Sequence, residues 1–213
     1  MTDFNKEYWI KNYSQPEDMD CIGNAKGHAK YLKSLFDLEY IHITSIIDFG
    51  FGHGELFKQM MRAFIPYKAV GIEPSQYIFN KTKNKKLAPV ASTKLKLINT
   101  DLVRYLSRHH KTVFDLGICT SVMQYLSEKE LKIIIPLLSK QVKYLYLTVP
   151  TNDEMERQIE NHGFKDEYAI LRNQNYYLKL LRPHFTFIGN RLLESKYHFN
   201  VKTTDFTDLL FRL

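Results

Sequence analysis

Three glycines at alternate positions close an apolar run in Ile46-Ile47-Asp48-Phe49-Gly50-Phe51-Gly52-His53-Gly54-Glu55-Leu56. The segment pairs an acid at a strand end with glycines that admit a ligand against bare backbone. A helix start follows, and its free amides and positive dipole end suit an anionic or nucleotide-like ligand. The dinucleotide fingerprint Gly-x-Gly-x-x-Gly would place its third glycine at position 55, where Glu55 stands. The pattern is therefore Gly-x-Gly-x-Gly, and a nicotinamide oxidoreductase is disfavoured. Two further acids close later apolar runs. Glu73 follows Ala69-Val70-Gly71-Ile72, and Asp101 follows Leu97-Ile98-Asn99-Thr100. A lone acid after a strand is ordinarily a helix cap or a solvated turn, so the ordered set carries the signal.

That set resembles the class I S-adenosylmethionine-dependent methyltransferases, over about residues 41–205. The glycine loop is similar to the family's motif I, where an acid stands two residues before the first glycine, as Asp48 does. The resemblance implies that Glu73 holds the ribose hydroxyls, a role that suits a carboxylate's acceptor capacity. It implies that Asp101 and the Leu102 amide lie at the adenine. Phe114 to Leu126 looks like motif IV of the small-molecule members, with Thr120 to Val122 on the methionine side. The implied cofactor is S-adenosylmethionine, bound through Asp48, Phe49, Gly50, Gly52, Gly54, Glu73, Pro74, Asp101, Leu102 and Thr120. The implied activity is methyl transfer to an oxygen, nitrogen or carbon of a small-molecule acceptor, the alternatives being an RNA or protein methyltransferase or a noncatalytic S-adenosylmethionine-binding module.

Methyl transfer is a direct displacement in which alignment supplies much of the rate, so no catalytic dyad is required. The Asn/Asp-Pro-Pro-Tyr/Phe sequence of amino-methylating nucleic-acid and glutamine enzymes is replaced here by Thr120-Ser121-Val122-Met123. No Lys-Asp-Lys-Glu order of ribose methylation is recognisable. His28, His53 and Tyr125 are the candidate bases, and none earns a catalytic assignment. His53 reads first as a loop histidine, His28 as a core residue on an apolar helix stripe, and Tyr125 as aromatic packing. Tyr8, Trp9 and Tyr13 suit either a lid over the ligand or a staple holding the N-terminal arm, the staple being favoured.

The elements that position these residues follow from periodicity. Five nearly continuous apolar runs, 43–49, 69–73, 95–99, 113–120 and 142–149, read as buried parallel strands. Helical stripes alternate with them. Glu55 to Phe64 presents Leu56, Phe57, Met60, Met61 and Phe64 on one side, and Ser75 to Leu87 is a weaker helix with a solvated lysine tract. Ser127 to Glu130 is a capping box. Helices are expected over 152–160 and 166–181. Strand-like runs 184–193 and 197–204, separated only by Glu194, Ser195 and Lys196, must form an antiparallel hairpin, because a parallel crossover needs about a dozen residues. The class is α/β: a seven-stranded, mostly parallel sheet with a C-terminal antiparallel hairpin and helices on both faces. Residues 1–40 form a helical appendage, with Ala25, His28, Ala29, Leu32, Leu35 and Phe36 on one helix side, and 41–213 form the main part of one domain.

The chain of 213 residues is 44% apolar and 25% charged, ordinary globular usage that excludes a disordered or fibrous protein. No run approaches the roughly 18 apolar residues of a membrane span, and the N-terminus is polar, so a cytoplasmic protein without membrane association is expected. A net charge of +7 permits RNA as a partner without forming a focused stripe. Cys21 and Cys119 lie far apart, and neither the eight histidines nor the adjoining His109-His110 show metal-binding spacing. Neither a disulfide nor a metal is expected.

Overall fold

The computed structural model describes residues 4–13, 19–108, 112–163, 165–210 and 212–213; the His109-His110 pair lies outside them. Two N-terminal helices, α1 (Lys6–Asn12) and α2 (Ala25–Leu38), precede an alternation of strands and helices. The alternation runs β1 (Ser45–Phe49), α3 (Glu55–Phe64), β2 (Lys68–Glu73), α4 (Gln76–Lys83), β3 (Lys94–Asn99), α5 (Leu102–Leu106) and β4 (Phe114–Thr120). After a short 3-10 turn, Met123–Tyr125, come α6 (Glu128–Gln141), β5 (Val142–Thr148), α7 (Asn152–His162), α8 (Gln174–Leu181), β6 (Phe185–Gly189) and β7 (Leu192–Ser195).

The seven strands form one sheet in the order β3-β2-β1-β4-β5-β7-β6. β7 is antiparallel to both its neighbours, and the other pairings are parallel. The central strands β1 and β4 are almost wholly buried, which is why their sequences are continuous rather than alternating in apolar character. Alternate residues still feed opposite faces. Ile47, Phe49, Val70 and Ile72 join the core under α5, α6 and α8, whereas Ile46 and Ala69 join the one under α2 and α3. α2 buries Ala25, Ala29, Leu32 and Phe36 in this second core, so the sheet's covering layer includes a helix from before the first strand.

The strand order reverses direction at β1, between β2 and β4, and this is where an open α/β sheet leaves a crevice beyond its strand tips. α3 starts there at the expected residue, and the Ser127–Glu130 capping box opens α6. Three expected elements differ. The 75–87 helix is confined to α4, where Ser75 caps the first turn and accepts from the Ile78 amide. Of the 166–181 helix only α8 forms, capped by Asn173; the preceding stretch is a loop pinned by long-range bonds, among them Ile170 N to Gln124 O at 2.9 Å. The hairpin turns at Asn190-Arg191 rather than at 194–196. Glu194 and Ser195 resemble turn residues in sequence, yet both are fully buried in β7: Glu194 pairs with Arg212 and Thr204, and Ser195 donates to Ser139 O. Residues 197–204 accordingly form turns, not a strand.

Candidate functional site

The crevice holds a cavity of about 160 Å³, and all ten residues singled out in the sequence line it. Asp48 and Phe49 reach it from the end of β1, and Gly50, Gly52 and Gly54 from the loop that follows. Glu73 and Pro74 come from the end of β2, Asp101 and Leu102 from the start of α5, and Thr120 from the end of β4.

The loop's shape depends on missing side chains. Gly50 has φ +134°, and a Cβ built there would stand 2.5 Å from Val122 Cγ2. Only glycine meets both conditions. Gly52, at φ +48°, lies under the indole of Trp9, with its hypothetical Cβ 3.4 Å from the ring. Its amide donates to Glu73 Oε2 at 3.0 Å, while the Ser75 amide donates to Oε1 at 2.9 Å. Each oxygen of Glu73 is thus fixed by one N–H and keeps a further acceptor position. Burial raises the Glu73 carboxyl to about 7, against the pull of those two amides. Asp48 is also pushed well above the usual carboxylate range, first by burial and then by Glu73. Asp101 caps α5, accepting from the Arg104 amide at 2.7 Å.

A layer of aromatic rings from the N-terminal segment covers this floor. Trp9 Nε1 donates to Ser75 Oγ at 2.9 Å, and Ser75 Oγ donates to Phe4 O at 2.6 Å. Tyr8 and Tyr125 both reach Asp166 Oδ2, at 3.1 and 2.5 Å, so that carboxylate joins α1, the turn after β4 and the loop before α8. Desolvation is the first cause holding both phenols far above their ordinary range, and proximity to Asp166 adds to it. Tyr8 and Trp9 are therefore a staple by their bonds, and with Tyr13 a roof by their position, since all three line the cavity.

The three candidate bases separate. His53 packs edge-on to Trp9 with its Nε2 buried and without a hydrogen-bond partner among the described residues; burial, then Lys85 and Lys81, lower it to about 4, so it is neutral at pH 7. Tyr125 lines the cavity as a neutral phenol committed to Asp166. His28 does not line it. Its ring meets Asp20, Cys21, Tyr146 and Arg191 instead. Sequence reasoning missed Asp166 and this last cluster, because their partners come from elements far apart in the chain.

A second, open groove of about 780 Å³ adjoins the cavity and shares Asp20 and Ser121 with it. Thr148 and Arg157 also line it, and Thr148 Oγ1 is buried without a partner among the described residues.

No family model matches the chain, and no curated protein matches it. Solved structures do. A plantazolicin methyltransferase, BpumL, in complex with SAH superposes with a TM-score of 0.65 at 15% identity, over 84% of this chain and 70% of that one. An S-adenosylmethionine-dependent methyltransferase from Clostridium acetobutylicum gives 0.62 at 14% identity, over 83% and 84%. Magnesium protoporphyrin IX methyltransferase from Synechocystis, with bound SAH, gives 0.55 at 16% identity, over 86% and 87%. The chain has the class I methyltransferase fold, a seven-stranded sheet with one antiparallel strand. Among the described residues no helix is long and apolar enough to cross a membrane.

Proposed function

We propose that the protein is an S-adenosylmethionine-dependent methyltransferase acting on a small-molecule acceptor. The observation that carries this reading is the Glu73 carboxylate. It stands buried at the tip of β2, each oxygen oriented by one backbone amide and each retaining a lone pair in a cavity floored by bare glycine backbone. Two acceptors so fixed suit a vicinal diol such as a ribose. The rest of the cavity fits the same group. Asp101 leaves one carboxylate oxygen beside the first amides of α5, which by their position lack intrahelical partners and suit a purine edge. Asp48 and Thr120 lie at the tips of β1 and β4, where the methionine portion would be held. When bound, the cofactor supplies an activated methyl group on a sulfonium, open to direct displacement.

The protein's own contribution is placement. Phe4, Tyr8, Trp9 and Tyr13 line the cavity beside the glycine loop, and aromatic faces favour a cationic centre packed against them. The neighbouring groove opens beside this cavity and offers space for an acceptor. Ser121 joins groove and cavity, and the buried Thr148 hydroxyl stands in the groove wall beside Cys21. Protein or RNA as acceptor is the second reading, and the net charge of +7 favours RNA among these.

Calorimetric titration with S-adenosylmethionine, S-adenosylhomocysteine and NADH tests the reading. Micromolar affinity for the first two, about −8 kcal/mol, with none for NADH, is the expected outcome. NADH binding alone, or no binding by any of the three, would overturn it.

A further inference from the structure

Asp20 and Cys21, in the turn that leads into α2, meet His28 of the helix's first turn. His28 Nε2 stands 3.0 Å from Asp20 Oδ1 and 3.9 Å from Cys21 Sγ, and Cys21 Sγ is 3.6 Å from Asp20 Oδ2. One ligand atom from each residue lies within 4.8 Å of the other two. Tetrahedral coordination with about 2.0–2.1 Å to nitrogen and oxygen and about 2.3 Å to sulfur has donor-to-donor edges of roughly 3.3–3.6 Å. His28 lies nearest Asp20 Oδ1 and Cys21 nearest Asp20 Oδ2, and one donor from each residue already lies within 4.8 Å of the others, so side-chain rotation of Asp20 with a contraction of up to about an ångström closes the site.

The surrounding bonds orient these donors. His28 Nδ1 lies 2.5 Å from the Tyr146 hydroxyl. In the 3.0 Å contact the Nε2–H donates to Asp20 Oδ1; a bound cation would replace that proton and select the tautomer whose Nδ1–H donates to Tyr146, the arrangement second-shell partners impose on metal-binding histidines. Asn24 holds the other two: its Nδ2 donates to Asp20 Oδ1 at 2.7 Å, and its Oδ1 accepts from the Cys21 amide at 2.7 Å. The site already attracts a cation. Arg191 donates to Asp20 Oδ2 at 2.9 Å, and the same nitrogen lies 3.3 and 3.4 Å from the two ring nitrogens of His28.

We propose that Asp20, Cys21 and His28 form a binding site for a zinc-like divalent cation, with Arg191 as the internal cation that competes for it. A thiolate, an imidazole and a carboxylate together select a borderline-soft ion over magnesium or calcium. Asp20 and Cys21 also line the cavity, and Asp20 lines the groove, so an ion held here stands in the wall between the two. The proposal does not rest on methyl transfer and survives its failure.

The test uses the full chain, stripped of metal by a chelator and then titrated with Zn²⁺ against a chromophoric competitor. Co²⁺ serves as a spectroscopic probe of sulfur ligation. One equivalent is expected, with a thiolate-to-cobalt charge-transfer band, a loss of 100-fold or more in affinity in Cys21→Ser and in His28→Ala, and a gain in Arg191→Gln. Circular dichroism and melting curves establish that the variants fold; should Cys21→Ser not fold, the cobalt band of the wild-type chain decides. Absence of stoichiometric binding at micromolar metal, absence of that band, or affinities unchanged in the folded ligand variants would overturn the site. Weaker binding in Arg191→Gln would overturn the competition.

Discussion

Raising the pH from 5 to 8 should destabilise the ligand-free protein through Glu73, and the size of the effect follows from its burial. The carboxyl moves from 4.5 to about 7 on folding. Its folded-state value is raised, so the native state binds the proton more tightly. The penalty for ionising it is absent below pH 4.5, grows as pH rises and is complete above 7. A rise from 4.5 to about 7 corresponds to about 3 kcal/mol, most of which develops between pH 5 and 8. For a chain of this length that is a fall in Tm of about 5–10 °C from this residue. The assay compares thermal and urea unfolding of wild-type protein and Glu73→Gln at pH 5, 6, 7 and 8. The amide sets one of its own donors against the amide of Gly52 or Ser75, which costs a pH-independent amount, so the slopes and not the absolute stabilities are compared. Other groups contribute equally to both slopes except Asp48, whose upward shift has a Glu73 component of the same sign. The wild-type slope should be the steeper by at least about 2 kcal/mol over the range. Identical slopes would refute the burial argument.

Four further outcomes are expected. Glu73→Ala should weaken S-adenosylhomocysteine binding by about 1–3 kcal/mol in calorimetry, the range for losing a charged acceptor; unchanged affinity would remove the ribose assignment. Gly52→Val should cost roughly 1–2 kcal/mol of stability, because a β-branched residue is forced to φ +48°, and should abolish cofactor binding while the chain stays folded at 25 °C. Trp9 is the chain's one tryptophan and its ring roofs the loop, so cofactor titration should change intrinsic fluorescence, with the response lost in Trp9→Phe. Asp115 titrates with the opposite sign to Glu73. Lys143 and the Thr44 and Ser45 donors hold it below its ordinary value despite burial, so its stabilisation is present above about pH 4 and is lost as pH falls further. Asp115→Asn should flatten the acid limb of the unfolding curve.

Local signals were legible wherever neighbouring residues in the chain decide the outcome. The Gly50-to-Gly54 spacing, the stripe of α3 and the capping box of α6 each involve residues within a few positions, and each appears where its sequence places it. The ends of the 166–181 and 184–204 segments were not legible, because distant partners decide them. Glu194 and Ser195 are strand residues only because Arg212, Thr204 and Ser139 satisfy them inside the protein. Residues 166–173 give up a helical pattern to the Asp166 junction, whose tyrosines lie 158 and 41 positions away.

The acids and glycines of the candidate site were nameable in order from the sequence, since parallel strands bring successive strand ends to one edge of a sheet whatever the loops between them do. What those groups experience was decided by tertiary structure alone. The neutral His53, the raised Glu73 and the roof of Tyr8, Trp9 and Tyr13 arise from burial and from contacts across the fold. So does the meeting of Asp20, Cys21 and His28 with Arg191, some 160 positions beyond, because the desolvation and field at a side chain depend on everything packed around it rather than on its neighbours in the chain.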